Sequence, residues 1–165
     1  LTVQTEKKHT ITVLVDNHFG VLARVSGMFS TRGFNITSLC VGETADTRYS
    51  RMTVVARGDD AALGQVIQQL NKLVEVIEVT DLTSESFVER ELVMAKVKAS
   101  GKERGEVIEL ASIFRAKVVD VGAEYMTVEC TGAAGKIAAF IDTVRGYGIV
   151  DLVRSGEIAI ARSAK

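Results

Sequence analysis

An alternation of two hydrophobic periods, run through twice, constrains this chain more than any other feature. Residues 10 to 15 (TITVLV) are β-branched and alternate in period two. DNHFG interrupts them, and from Val21 the apolar residues Leu22, Val25 and Phe29 recur at helical spacing. The spacing predicts strand, loop and helix, with the helix stopped at Gly33, a residue that takes the left-handed conformation without strain. Ile36 to Gly42 and Met52 to Ala56 read as a hairpin about the polar stretch ETADTRYS. Asp59 and Asp60 offer N-caps to a helix with Leu63, Val66, Ile67 and Leu70 on one face, and VEVIEVTDL closes the unit as a strand.

After the polar spacer TSESFVE the same order recurs. A strand at LVMAKVKA leads to a helix carrying Val107, Leu110, Ala111 and Phe114. KVVDVG and YMTVECTG form a second hairpin, Ile137, Phe140, Ile141 and Val144 stripe a fourth helix, and GIVDLVRSGEIAIAR supplies the last strand or strands. The expected class is therefore α+β: two ferredoxin-like βαββαβ units in tandem, residues 1–82 and 83–165, each a four-stranded antiparallel sheet with two helices on one face. The other face of each sheet must meet solvent, a ligand or a partner. In the first unit Ile11, Val13 and Val15 share one parity and Leu14 the other, while Val54 and Val55 point oppositely. Both faces thus hold apolar residues, and further packing, including a homodimer, is expected.

Charge narrows the function classes. Twenty Lys and Arg oppose 21 Asp and Glu, with no basic tail, so the clustered positive surplus of a bulk nucleic-acid binder is missing. A membrane-spanning helix needs about 20 mostly apolar residues, and charged residues interrupt every apolar stretch well before that length; a soluble protein is expected. Cys40 and Cys130 lie far apart without a CxxC motif or a nearby paired His, which suits reduced spectators better than zinc or redox ligands. Proline is absent, so turns fall to Gly, Asn, Asp and Ser. The first residue is Leu1 rather than Met, which reads as a trimmed or processed start.

Enzymatic constellations are scarce. His9, near a frayed start, and His18, in a loop, are the only histidines, which leaves few candidates for a nucleophile and base pair. GKERGE lacks the ending of a phosphate-binding loop, and GYG lacks the third glycine of a dinucleotide fingerprint. GAAGK at 132 to 136 resembles an RNA-clamping GXXG but reads more simply as the turn into the fourth helix. Asp59 with Asp60, and Glu89 with Glu91, are explained by capping and solvated strand positions rather than acid–base catalysis. SRMTVVAR has no aromatic on which a base would stack, and the first loop lacks the arginine of a small acylphosphatase. What remains is DNHFGV at 16 to 21. There free amides at a helix start attract a carboxylate and Gly20 permits close approach, while Asn35 beyond Gly33 offers a side-chain carbonyl to an ammonium. An amino acid fits that pair of groups, and so does ordinary turn chemistry.

The string HTITVLVDNHFGVLARVSGMFSTRGFNITSL, followed by SRMTVV, QQLNKLVEVIEV, ERELVMAKVKA, IFRAKVVDV and RSGEIAIAR, resembles the small regulatory subunits of acetohydroxyacid synthase, also called acetolactate synthase, from about His9 to Arg162. One departure is Phe19, where many relatives have proline before the glycine. The resemblance implies an N-terminal ACT domain, a C-terminal ferredoxin-like domain, and a homodimer whose ACT sheets join side by side with valine at the interface. It implies a site in which Asn17 and Gly20 of one chain, flanked by Asp16, meet Asn35 and Ile36 of the other. Backbone amides would take the carboxylate, Asn35 the ammonium, and Val21, Leu22 and Ile36 the side chain, a contact class that leaves leucine or isoleucine able to compete. The chain itself would be catalytically silent and hold no cofactor. Thiamine diphosphate, Mg²⁺ and FAD would belong to a large catalytic partner that this subunit activates and that valine inhibits through it. One copy of the unit favours a bacterial, cytoplasmic protein over a plastid one, since plastid relatives usually carry a tandem duplication. The alternative reading is a freestanding amino-acid-sensing ACT protein that controls another enzyme or a transcription factor.

Overall fold

The computed structural model describes residues 7–163. Its elements follow the expected order: β1 (Lys7–Asp16), α1 (Val21–Ser30), β2 (Asn35–Glu43), β3 (Tyr49–Gly58), α2 (Asp60–Leu70) and β4 (Val76–Asp81). The second set is β5 (Phe87–Lys98), α3 (Glu103–Ile113), β6 (Lys117–Val121), β7 (Tyr125–Gly132), α4 (Ala134–Val144), a short 3₁₀ turn at Arg145–Tyr147, β8 (Ile149–Arg154) and β9 (Ile158–Ala161). Sheet orders are β2-β3-β1-β4 and β6-β7-β5-β8, the split βαβ topology twice over, but the second sheet has five strands rather than the expected four, because β9 also pairs with β5.

Period two explains the sheet side of each core and period 3.6 the helix side. In the first unit Ile11, Val13 and Val15 of β1 and Met52, Val54 and Ala56 of β3 meet Val21, Val25 and Phe29 of α1 and Leu63, Val66 and Leu70 of α2. In the second, Val93, Ala95 and Val97 with Met126, Val128 and Cys130 meet Val107, Leu110, Ile137, Phe140 and Val144. Gly33 sits at φ 77° after α1, as its spacing predicts. Asp59 caps α2 by accepting from the Ala62 amide at 3.4 Å.

Three expectations change. Glu91 is not solvated: it is 3 % exposed and accepts from Arg154 Nε at 2.8 Å and Nη2 at 2.6 Å. Glu89 is also occupied, its Oε1 accepting from the Ala134 amide at 3.0 Å, where the first turn of α4 would otherwise lack a partner. His9 is fully buried rather than part of a frayed start. Both cysteines are free thiols, Cys130 buried and Cys40 half-buried.

The two compact units divide at Val88/Glu89, and the chain from Glu157 onward rejoins the first unit; this partition differs from a single cut after residue 82. Hydrogen bonds on the helix-free face of the first sheet explain the return. The Glu157 amide donates to Ser38 Oγ at 2.8 Å, the Ala159 amide to Thr53 Oγ1 at 3.3 Å, and Lys8 Nζ pairs with both Glu157 oxygens at 2.9 Å. Thr10, Thr12 and Thr53 of this face are buried. The face is thus closed in part by the chain's own C-terminal strand, with hydroxyls accepting the backbone donors that an apolar surface would leave unpaired.

Candidate functional site

The β1–α1 loop is shaped by its neighbours before any ligand is considered. The Asp16 amide donates to the Glu75 carbonyl at 2.8 Å, the Asn17 amide to Arg48 at 2.7 Å and the His18 amide to Asp16 at 3.1 Å. The Asn17 side chain spends both amide hydrogens on the β2–β3 hairpin: Nδ2 donates to Glu43 Oε1 at 3.0 Å and to the Thr47 carbonyl at 2.9 Å. Only Oδ1 of Asn17 is left as an acceptor. That hairpin is braced by Asp46 and Arg48, whose guanidinium, joined by the Arg48 amide, holds the Asp46 carboxyl below the usual carboxylate range. Arg24, one turn into α1, pairs with Glu75.

Gly20 is the N-cap of α1 at φ 88° and ψ −14°, with no side-chain cap and no acidic residue in the first turn. Left-handed geometry favours glycine here, and an added Cβ would meet nothing within 4 Å. The first turn therefore keeps its amides and the positive end of its dipole directed at an open surface. Phe19 stands fully exposed beside it and Leu22 is 44 % exposed. Val21 faces inward into the core, so its side chain supports the loop from beneath.

Asn35 and Ile36 occupy the opposite end of the sheet. Asn35 is exposed at the start of β2 and aligned with Arg57, whereas Asp16 is aligned with Tyr49 at the far end of the same β3. At about 3.3 Å per residue those ends are roughly 25 Å apart. Asp16, Asn17, Gly20 and Leu22 are gathered in one place, and Asn35 with the half-buried Ile36 in another; one chain does not join them. β2 is an edge strand of its sheet. If that edge paired antiparallel with its own copy about a two-fold axis, the start of one β2 would lie beside the end of the other, which is where Glu43 holds Asn17. Spacing in the sequence signalled the loop glycine and the two asparagines. Glu43 and Thr47 carried no such signal, since their role exists only once the hairpin is folded.

Among the described residues no group of three or more His, Cys, Asp or Glu side chains is placed to hold a metal ion. Among the same residues no helix is long and apolar enough to cross a membrane.

Comparison with known proteins adds independent findings. A family model for an "AHAS small subunit-like ACT domain" matches residues 11–78, and one for the "small subunit of acetolactate synthase" matches residues 90–163. A probable acetolactate synthase small subunit of Archaeoglobus fulgidus is 54 % identical over 158 residues, covering 96 % of this chain and 99 % of that one. The acetolactate synthase small subunit of Mycolicibacterium smegmatis is 45 % identical over 157 residues, covering 95 % and 92 %. The crystal structure of the Thermotoga maritima small subunit superposes with a TM-score of 0.86 at 37 % identity, covering 96 % of this chain and 99 % of that chain.

Proposed function

Because the chain belongs to the family of acetolactate synthase small subunits, we propose that it is the regulatory subunit that docks on a large catalytic subunit in the cytoplasm, raises its activity and imposes feedback inhibition by valine. The chemistry of condensation, with thiamine diphosphate, Mg²⁺ and FAD, resides in that partner, and this chain supplies the sensor.

The observation that carries the reading is the split site. An uncapped helix start with a glycine in the left-handed region lies at one end of an edge strand, and an exposed asparagine lies at the other. Two copies paired through β2 complete an amino-acid pocket twice. In each, the α1 amides near Gly20 take the carboxylate, while Asn35 of the other chain, with Asn17 Oδ1, takes the ammonium. Leu22 and Ile36 bound a small branched side chain, which discriminates valine from leucine and isoleucine by a modest factor. Ligand binding across two chains biases their arrangement, and the coupling to the catalytic partner is reciprocal in binding free energy.

Calorimetric titration of the purified chain with valine, leucine and isoleucine tests this directly. Valine is expected to bind, and Asn35→Ala to weaken it about ten- to a hundredfold, the loss of one charge-assisted hydrogen bond of roughly 1.5 to 3 kcal/mol. Gly20→Asp adds bulk and negative charge at the carboxylate position and is expected to be harsher. In the reconstituted complex, unchanged valine sensitivity of acetolactate formation in both variants would overturn the assignment.

A further inference from the structure

The start of β2 rests on a ring cluster that the amino-acid pocket does not itself use. Phe34 immediately precedes Asn35 and is buried. Its amide donates to the Phe29 carbonyl at 3.1 Å, and its ring meets Phe29 edge-on, with centroids 6.2 Å apart at 89°. On its other side lies the fully buried His9, at 6.0 Å and 68°. The His9 Nε2 is 3.2 Å from the Gly58 carbonyl oxygen, so the proton sits on Nε2 when that contact is a hydrogen bond, and Nδ1 has no partner. Gly58 completes the cluster by what it lacks. A Cβ built there would fall 2.3, 2.5 and 2.8 Å from Phe34 Cε1, Cδ1 and Cζ, distances no real side chain tolerates. The ring lies directly against the Gly58 backbone, at the end of β3 that pairs with the beginning of β2.

We propose that Gly58, Phe34 and His9 are positioning residues for the ammonium side of the amino-acid pocket: the ring wedged between Gly58 and His9 fixes where β2 begins and hence where Asn35 and Ile36 present themselves to the partner chain's ligand. The proposal rests on the valine site described above. Its physical basis is the short lever involved. Asn35 is the next residue after Phe34, and a displacement of an ångström or so at the ring is passed to the neighbouring backbone before anything absorbs it. A hydrogen-bonding group misplaced by that much loses most of its contribution, because these bonds weaken steeply away from their preferred distance and angle. The ladder pairs Asn35 with Arg57 and Ile36 with Ala56, but a bulge follows at once between Ile36 and Ser38, with Thr37 Oγ1 bonded to the Val55 carbonyl at 3.1 Å, so only two regular pairs hold the start of the strand and the rings reinforce them.

The test is calorimetric valine titration and thermal unfolding of the full-length chain carrying Gly58→Ala, Phe34→Leu, the double substitution, His9→Leu, and Leu70→Ala as a control in the same core but remote from β2. Gly58→Ala is expected to weaken valine about tenfold or more, equivalent to at least about 1.4 kcal/mol. The double variant is expected to recover affinity relative to Gly58→Ala, because the smaller Leu makes room for the new methyl. Leu70→Ala is expected to lower the melting temperature without moving affinity per folded chain. If Gly58→Ala does not fold, Phe34→Leu and His9→Leu carry the test, each expected to weaken valine severalfold. Folded variants that bind valine as the wild type does, or affinity that tracks melting temperature across all five proteins including the control, overturn the proposal. Absence of valine binding to the wild type overturns the pocket itself and is a separate result.

Discussion

Replacing Asn17 by Asp probes what holds the β1–α1 loop against the hairpin. The wild-type amide donates to Glu43 and to the Thr47 carbonyl, and a carboxylate donates to neither. Losing two hydrogen bonds at an exposed position costs about 1 kcal/mol, or up to 2. The new charge adds repulsion. A carboxylate oxygen in place of Nδ2, about 3 Å from Glu43, is worth roughly 1.4 kcal/mol at the dielectric of water and more where protein replaces water. The closed loop is therefore destabilised by about 3 kcal/mol at neutral pH, with global stability falling by less because the loop can open locally. Asn17→Ala loses only the hydrogen bonds and is expected to cost about half as much. The two variants separate on acidification. The introduced carboxyl has a folded pKa raised by Glu43, so its penalty is absent below the unfolded value of about 3.9 and grows as pH rises through the folded one. Hydrogen exchange at the position-17 amide, which donates to the Arg48 carbonyl, reads the loop locally, and thermal melts at pH 4 and 7 read the whole. Equal effects of the two substitutions at both pH values would show that Glu43 does not govern the loop. Valine affinity is expected to fall with loop closure in both.

Glu91→Ala removes a buried carboxylate bound in two places by Arg154, and since the guanidinium left behind is half exposed the expected cost is that of the charge-assisted hydrogen bonds, about 2 kcal/mol, measurable by denaturant titration; a change under about 0.5 kcal/mol, the range of an ordinary surface substitution, would contradict the pairing. Burial pushes the Cys130 thiol up from its usual value, so Cys130 is expected to alkylate far more slowly than the half-buried Cys40 at pH 8 in the native protein. The same shift makes stability fall as pH climbs above the unfolded thiol's value, since the folded state then resists losing that proton. The purified chain alone, supplied with pyruvate, thiamine diphosphate, Mg²⁺ and FAD, is expected to form no acetolactate; product formation without a large subunit would contradict the sensor role.

The element order was legible because periods two and 3.6 are imposed by burial on one face, and both units obey them. Polar residues misled where burial and polarity coincide. Phe87 opens β5, yet FVE reads as the end of a polar spacer and Glu91 as a solvated strand position, because sequence shows the charge of Glu91 and not the Arg154 that meets it 63 residues later. Periodicity also tells what a strand is but not where it lies. IAIA reads as a strand, while nothing in it names its partners, the strand β5 that it pairs with and the hydroxyls of Ser38 and Thr53 that accept amides of this segment. At the site, Gly20 announces itself by its position before a helix, and Asn35 by its polarity at a strand start. The commitment of Asn17 to Glu43 and Thr47 is set by partners 26 and 30 residues away, and no local pattern records it.

The return of β9 to the first unit also sets an order of events during synthesis. Lys8 and Glu157 lie 149 residues apart, and the Ala159 amide reaches Thr53 across 106. A growing chain releases the helices and strands of the first unit early, yet it lacks the segment that completes that unit until residues 89–156 have been made. The face carrying Thr10, Thr12 and Thr53 must stay wet while the second unit emerges, and closes only when residues 157–161 have left the ribosome. Hydroxyls suit that wait: a wholly aliphatic face left open for so long would invite association with neighbouring chains, whereas three threonines around Val55 keep most of this one hydrated until the final strand replaces the water.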